Sequence, residues 1–323
     1  MPATRVSLAL GSGGARGYAH IGAIQVLQER GIQIVGIAGS SMGALVGGLH
    51  AAGRLEAYTE WALTLKQRDV LRLLDVSLSA PGALRAERIF GQVGELLGDR
   101  LIEQLDIPFT AVATDLLARR EVWFERGPVD IAIRASSALP GLFPPVMLNG
   151  RLLVDGGLMD PVPVAPMTRV DADATIAISL GGERQGTRAT AEHDTAEPRP
   201  VDEWIERFRR GAAQALEHDR ARALLARFGS SPAATAAPEL LEEPAADESP
   251  GAPPAVLTKL EVMDRSIEAM QAVVTRYRLA GAPPDVLIDV PRDVCRPLDF
   301  HRAAAVIELG RQLATDALDR AGF

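Results

Sequence analysis

A serine flanked by small residues, just after an apolar run, is the first place in this chain where covalent chemistry is written. Gly39-Ser40-Ser41-Met42-Gly43 fits the pattern G-x-S-x-G. A serine on a sharp strand-to-helix turn adopts a strained backbone, and the residues two positions away on either side must be tiny to avoid collision. The apolar run 34–38 before it reads as a strand rich in β-branched residues, and 44–52 after it reads as a helix of small residues. The amides at that helix start would face negative charge developing on a substrate. Ser41 is therefore the candidate nucleophile, with Gly39 and Gly43 supporting the turn. Ser40 sits one residue off its centre. A tight packing turn is the alternative reading.

A second glycine cluster precedes it. Gly11-Ser12-Gly13-Gly14-Ala15-Arg16-Gly17 follows the candidate strand 6–10 and opens a helix that runs to about residue 30. Counting G-x-G-x-x-G from Gly11 puts Arg16 where the last glycine belongs, so a dinucleotide fingerprint fails. A phosphate-binding P-loop needs Gly-Lys-Ser/Thr, and Gly17 is followed by Tyr18. An oxyanion hole needs only main-chain N–H groups near the nucleophile, and this loop can supply them.

A serine nucleophile needs a base. The five histidines are His20, His50, His193, His218 and His301. None sits beside turn glycines after a strand, and His20 and His50 read as packing or hydrogen-bonding residues on the first two helices. Asp155 is placed differently. Runs 146–148 and 152–154 flank Asn149-Gly150, a type I′ hairpin signal, and the second run ends on Asp155-Gly156-Gly157. Its carboxylate is expected to be exposed beside open space. An ordinary carboxylate is a weak base for a serine hydroxyl, and partial desolvation would strengthen it. A plain turn aspartate is the competing reading.

These elements must be positioned by a larger frame. The first 180 residues alternate short apolar runs with helix-like segments, which predicts an α/β sandwich. Further strands are expected at 109–114, 121–124, 174–180 and 286–290, and helices through most of 54–100 with a break at 79–82, over 129–138 and over 300–318. Segment 61–78 is densely apolar and reads as a core helix pair, or as a cap touching lipid. Residues 182–200 read as a polar loop, 202–228 as helical, and 229–254 as a flexible Ala/Pro/Glu-rich insertion. The run 255–280 is amphipathic, with Leu257, Leu260, Met263, Ile267, Met270 and Val274 at helical spacing and expected to pack on the core.

The 323 residues are 47% hydrophobic and 24% charged, which suits a sizeable core. A net charge of −8 excludes a global basic footprint for nucleic acid. The single cysteine, Cys295, forbids an intramolecular disulfide and reads as a structural thiol in a reducing compartment. The N-terminal apolar run is too short for a signal-peptide core. A cytoplasmic protein is expected, with peripheral contact to membranes left open, as is the oligomeric state.

The glycine loop Gly13 to Gly17, the serine motif and Asp155-Gly156-Gly157, in that order, resemble the patatin-like phospholipase family. The likeness is strongest to a small bacterial branch similar to the catalytic part of neuropathy target esterase. Ala135-Ser136-Ser137-Ala138-Leu139-Pro140-Gly141-Leu142-Phe143 also looks like that branch. The resemblance covers residues 6 to 181 and, more loosely, 283 to 305. It implies a three-layer α/β/α sandwich with a mostly parallel sheet and a C-terminal helical region. The parts would be a catalytic core at 6–181, an insertion at 182–254 and completing helices and strand at 255–323. It further implies Ser41 as nucleophile, Asp155 as base, oxyanion donors from Gly13, Gly14 and Ala15, and a basic position at Arg16. Lipid esters or phospholipids would be the substrates, with no metal or organic cofactor. Ser12 replaces the first glycine of the commoner run. Two rivals stand beside this reading: a Ser–His acyltransferase, against which Ser40 before the serine counts, and a non-catalytic scaffold.

Overall fold

The computed structural model describes residues 3–73, 87–140, 142–182 and 259–323, which belong to one compact unit. The expected break at 79–82 and the loop, helix and linker expected across 183–254 lie outside the described residues, as do the side chains of Leu257 and Leu260.

Eight strands form one sheet. They are β1 (Arg5–Leu10), β2 (Gln33–Ser40), β3 (Phe109–Asp115), β4 (Arg120–Phe124), β5 (Val146–Leu148), β6 (Arg151–Asp155), β7 (Ala174–Gly182) and β8 (Val286–Pro291), in the order β5-β6-β3-β2-β1-β7-β8, with β4 also on β3. Strands β8, β7, β1, β2 and β3 run parallel, as the near-continuous apolar runs of doubly covered strands suggest. Alternation along β1 separates the two faces. Val6, Leu8 and Leu10 join the main core, while Ala9 meets Ala38 and Ala177 on the other face, under Val162, Val164 and Met167.

The helices are α1 (Tyr18–Glu29), α2 (Met42–Ala51), α3 (Leu55–Thr64), α4 (Gln67–Leu73), α5 (Glu87–Leu97), α6 (Val129–Ser136), α7 (Lys259–Gly281) and α8 (Ala303–Ala321). Helices α1, α2 and α8 supply buried residues to the large core, and Leu279 of α7 packs on the opposite, small-residue face. Gly31 and Gly53 take positive φ of 69° and 64° and end the first two helices, as the sequence predicts.

One register decides where the site forms. Strand β2 pairs with β3 as far as Ser40↔Val112, and β6 pairs with it from Ala113↔Asp155 onward, while β4 pairs with residues 111–115 of β3. Because β4 overlaps both partners along β3, it occupies the opposite edge. Strands β2 and β6 therefore share one edge of β3 and end head to head on it.

Helix α7 departs from expectation. Its inward face carries Ile267 and Val274 together with Glu268, Gln271 and Arg278, whereas Met263 and Met270 of the expected core stripe are 38% and 58% exposed. Polar anchors replace apolar packing there: Arg16 Nη2 lies 3.0 Å from Glu268, and Arg278 lies 3.1 Å from Glu121.

Candidate active site

The head-to-head strand ends bring Ser41 and Asp155 together. Ser41 leaves β2 with φ 55° and ψ −119°, an unfavourable backbone for any L-residue other than glycine, and enters α2. The turn closes because its flanks are bare: a Cβ on Gly39 would strike the Gly43 backbone, and one on Gly43 would strike Leu10. The Ser41 amide donates to Ser136 Oγ at 2.9 Å, and Ser136 Oγ donates to Val112 O at 2.5 Å. Ser40 points away from the site, its hydroxyl donating to Asp160 O at 2.6 Å.

Asp155 is only 2% exposed, so the expectation of an exposed carboxylate is corrected: the hairpin delivers it into the protein, against the cavity, rather than to open solvent. Its Oδ1 accepts from Gly157 N at 2.8 Å, its main-chain oxygen accepts from Thr114 Oγ1 at 3.0 Å, and it lines the same cavity as Ser41, close enough for the serine to act on its carboxylate. Burial raises its pKa to about 6, and the nearby Ser41 hydroxyl and the Gly157 amide hold it from going higher. A Cβ on Gly156 would strike Val112 O, and one on Gly157 would fall 2.7 Å from Ser12 Cβ, so both glycines permit close approach of the facing chain.

The glycine loop lies beside this pair. The amides of Gly11 and Ser12 are spent on Ile178 O and Pro161 O, at 2.9 and 2.8 Å. The Ala15 amide is spent on Pro297 O at 2.8 Å, which removes it from the expected donors: a loop this tight must satisfy most of its own amides. The amides of Gly13 and Gly14 have no hydrogen-bond partner among the described residues. Arg16 is buried and forked. Its Nε donates to Gly13 O at 3.1 Å, Nη1 to Arg292 O at 3.3 Å and Nη2 to Glu268. A trans peptide points its C=O and N–H in opposite directions, so the grip on Gly13 O aims the Gly14 N–H away from Arg16.

A cavity of about 100 Å³ opens on these groups, touched by Ser12, Gly13, Gly14, Arg16, Ser41 and Asp155. Its remaining wall is largely apolar: Leu45 and Tyr58, then Trp61, Leu65 and Val70 from the 61–78 segment, Phe90 of α5, Leu139, Leu142 and Phe143 before β5, and Ile267 of α7. Phe90 and Phe143 meet edge to face at 6.0 Å. None of the three described histidines lines it. His20 is fully buried, its Nε2 lies 2.9 Å from Gly11 O, and burial lowers its pKa to about 4, so it is the neutral ring donating to the loop. Cys295 is buried. No helix among the described residues is long and apolar enough to cross a membrane.

Sequence reasoning overlooked Ser136 as an anchor of Ser41, and Asp160 as the acceptor of Ser40. The Ser-Ser pair at 136–137 was visible, but only the fold shows that the first of them spans α6 to the β2–α2 turn.

Residues 8–168 match the family model for the patatin-like phospholipases. An uncharacterised NTE family protein of Mycobacterium tuberculosis is 52% identical across 98% of this chain and 91% of its own length. A lysophospholipase of Emericella nidulans is 32% identical over 54% of this chain but only 12% of that protein. The neuropathy target esterase of Drosophila melanogaster is likewise 32% identical, over 55% of this chain and 13% of its own length. By fold, motif order and these likenesses, the chain belongs to the patatin-like phospholipase family of lipid hydrolases, in its NTE branch.

Proposed function

We propose that this chain hydrolyses the carboxylic esters of lipids, as a phospholipase A, lysophospholipase or simple lipid esterase, with Ser41 as nucleophile and Asp155 as its base. The observation that carries the reading is the juxtaposition of Ser41 and a buried Asp155 on one apolar cavity, beside two loop amides with no hydrogen-bond partner among the described residues.

The chemistry follows from the groups present. Ser41 Oγ attacks the acyl carbon as its proton passes to Asp155. The carbonyl oxygen gains negative charge, which the Gly13 and Gly14 amides and the start of α2 stabilise. The tetrahedral adduct collapses, its C–O bond breaks, and the leaving alkoxide takes the proton from Asp155. Water then repeats the sequence on the acyl-enzyme: Asp155 removes its proton, the acid departs, and Ser41 Oγ is reprotonated. The apolar wall suits the acyl chain. A carboxylate can serve here without histidine because burial has brought its pKa near 6, much closer to neutrality than an exposed aspartate.

Labelling with a fluorophosphonate probe tests the assignment without knowledge of the natural substrate. Wild-type protein is expected to label on Ser41, and Ser41→Ala to lose both label and hydrolysis of a short p-nitrophenyl ester. Full hydrolysis by Ser41→Ala would end the reading.

A further inference from the structure

Two hairpin tips rise past the edge of the sheet on which the site lies. Strand β3 continues beyond Val112, the partner of Ser40, and turns at residues 116–119 into β4. Strands β5 and β6 turn at Asn149-Gly150 alongside it, and Leu116 N donates to Leu152 O at 3.0 Å, tying the tips together. At about 3.3 Å per residue, Leu116 stands about 13 Å above the level of Ser40. Both turns are set by local geometry. Asp115 Oδ1 accepts from Leu117 N and Ala118 N at 3.1 and 3.0 Å, and Arg119 and Asn149 adopt positive φ of 54° and 49°.

The tips present an unusual combination. Leu116, Leu117 and Met147 are 43%, 68% and 65% exposed. Arg119, Arg120 and Arg151 are exposed beside them, and none has a carboxylate partner among the described residues. The acidic side chains of these hairpins are committed elsewhere: Asp115 is buried on its own turn, and Glu121 is paired with Arg278. A protein of net charge −8 thus offers, on two hairpin tips, three cations with no carboxylate partner among the described residues. The segment that walls the cavity, through Leu142 and Phe143, runs straight into β5.

We propose that these tips dock the protein on an anionic bilayer, with Leu116, Leu117 and Met147 entering the headgroup layer and the arginines meeting lipid phosphates and carboxylates. Apolar side chains flanked by basic ones suit the boundary between headgroups and acyl chains of an anionic bilayer, where apolar burial and attraction to lipid charge add. Docking through these tips would also turn the site's edge of the sheet toward the lipid. The inference rests on the lipid-ester reading above for its purpose, but not for its test.

The full chain is sedimented with vesicles of phosphatidylcholine alone and of phosphatidylcholine mixed with phosphatidylserine. The wild type is expected to sediment with the mixed vesicles and to be released by high salt. Each arginine near an anionic surface is worth roughly fivefold in partitioning, so the triple variant Arg119→Gln, Arg120→Gln, Arg151→Gln should bind on the order of 100-fold more weakly. Leu117→Ser with Met147→Ser should weaken binding roughly 10-fold. Both variants should hydrolyse a short soluble ester as the wild type does, which shows that they fold. A wild type that stays in the supernatant, as it would if an acidic protein were the partner, overturns the inference. A triple variant that sediments like the wild type overturns it too. An unlabelled Ser41 with sedimentation intact would instead count against the esterase reading alone.

Discussion

The amide of Ser41 and the hydroxyl of Ser136 meet at 2.9 Å, and the same hydroxyl donates a hydrogen bond to Val112 O on β3. One oxygen thus accepts from a strained turn and donates to the strand beside it, using both capacities of a hydroxyl. Strained residues persist only where surrounding contacts over-determine them.

Ser136→Ala therefore tests how the turn is held. It leaves the Ser41 N–H without its partner, at a cost of roughly 1–3 kcal/mol in stability. Small displacement of the proposed nucleophile should lower kcat roughly 10- to 100-fold with little change in KM. Thermal unfolding and short-ester kinetics measure both, and an unchanged kcat would reduce Ser136 to a packing role.

The pH profile should report Asp155. The proposed base works as the carboxylate, and burial has raised its pKa to about 6. As pH falls through about 6 the group takes up a proton, and kcat/KM for a short ester should fall tenfold per unit below that point. A limb near 4, the range of an exposed aspartate, would contradict a buried base.

Asp155 should also cost stability. Its folded pKa lies above the unfolded value of 3.8, so the folded state binds the proton more tightly. The stabilisation is present below about 4 and is lost as pH rises through about 6. Above that, a buried charge is carried at a cost on the order of 3 kcal/mol. Asp155→Asn should thus be inactive yet melt higher than the wild type at pH 8, with the gap closing toward pH 4, as differential scanning calorimetry can follow.

Arg16 and Glu268 should separate although they are paired. Arg16→Lys keeps a charge but loses the fork that grips Gly13 O, so the Gly14 amide is misaimed and kcat should drop roughly 10- to 100-fold. Glu268→Gln leaves that grip in place and should keep kcat within about threefold of wild type. Equal losses in both would mean that the ion pair to α7, rather than the loop, is what Arg16 serves.

Much of this arrangement could be read before the fold was seen, because it is local. The strand-turn-helix around Ser41, the glycine loop and the Asn149-Gly150 hairpin are each fixed by residues a few positions apart. What escaped depends on distant partners. The burial of Asp155 follows from where β6 docks on β3, and the loss of the Ala15 amide follows from Pro297, far along the chain. Helix α7 misled for a further reason. Helical spacing finds an apolar stripe but not which face turns inward, and here Glu268 and Arg278 are drawn in by Arg16 and Glu121 while Met270 stays outside.

The shared edge of β3 makes the two proposed reacting groups hostage to a single strand. Ser41 and Asp155 belong to segments that each find β3 independently, and nothing within either segment can compensate if that strand shifts. Turnover should for that reason vanish in step with the sheet during denaturation, making enzymatic assay a faithful gauge of whether the centre of this molecule is assembled.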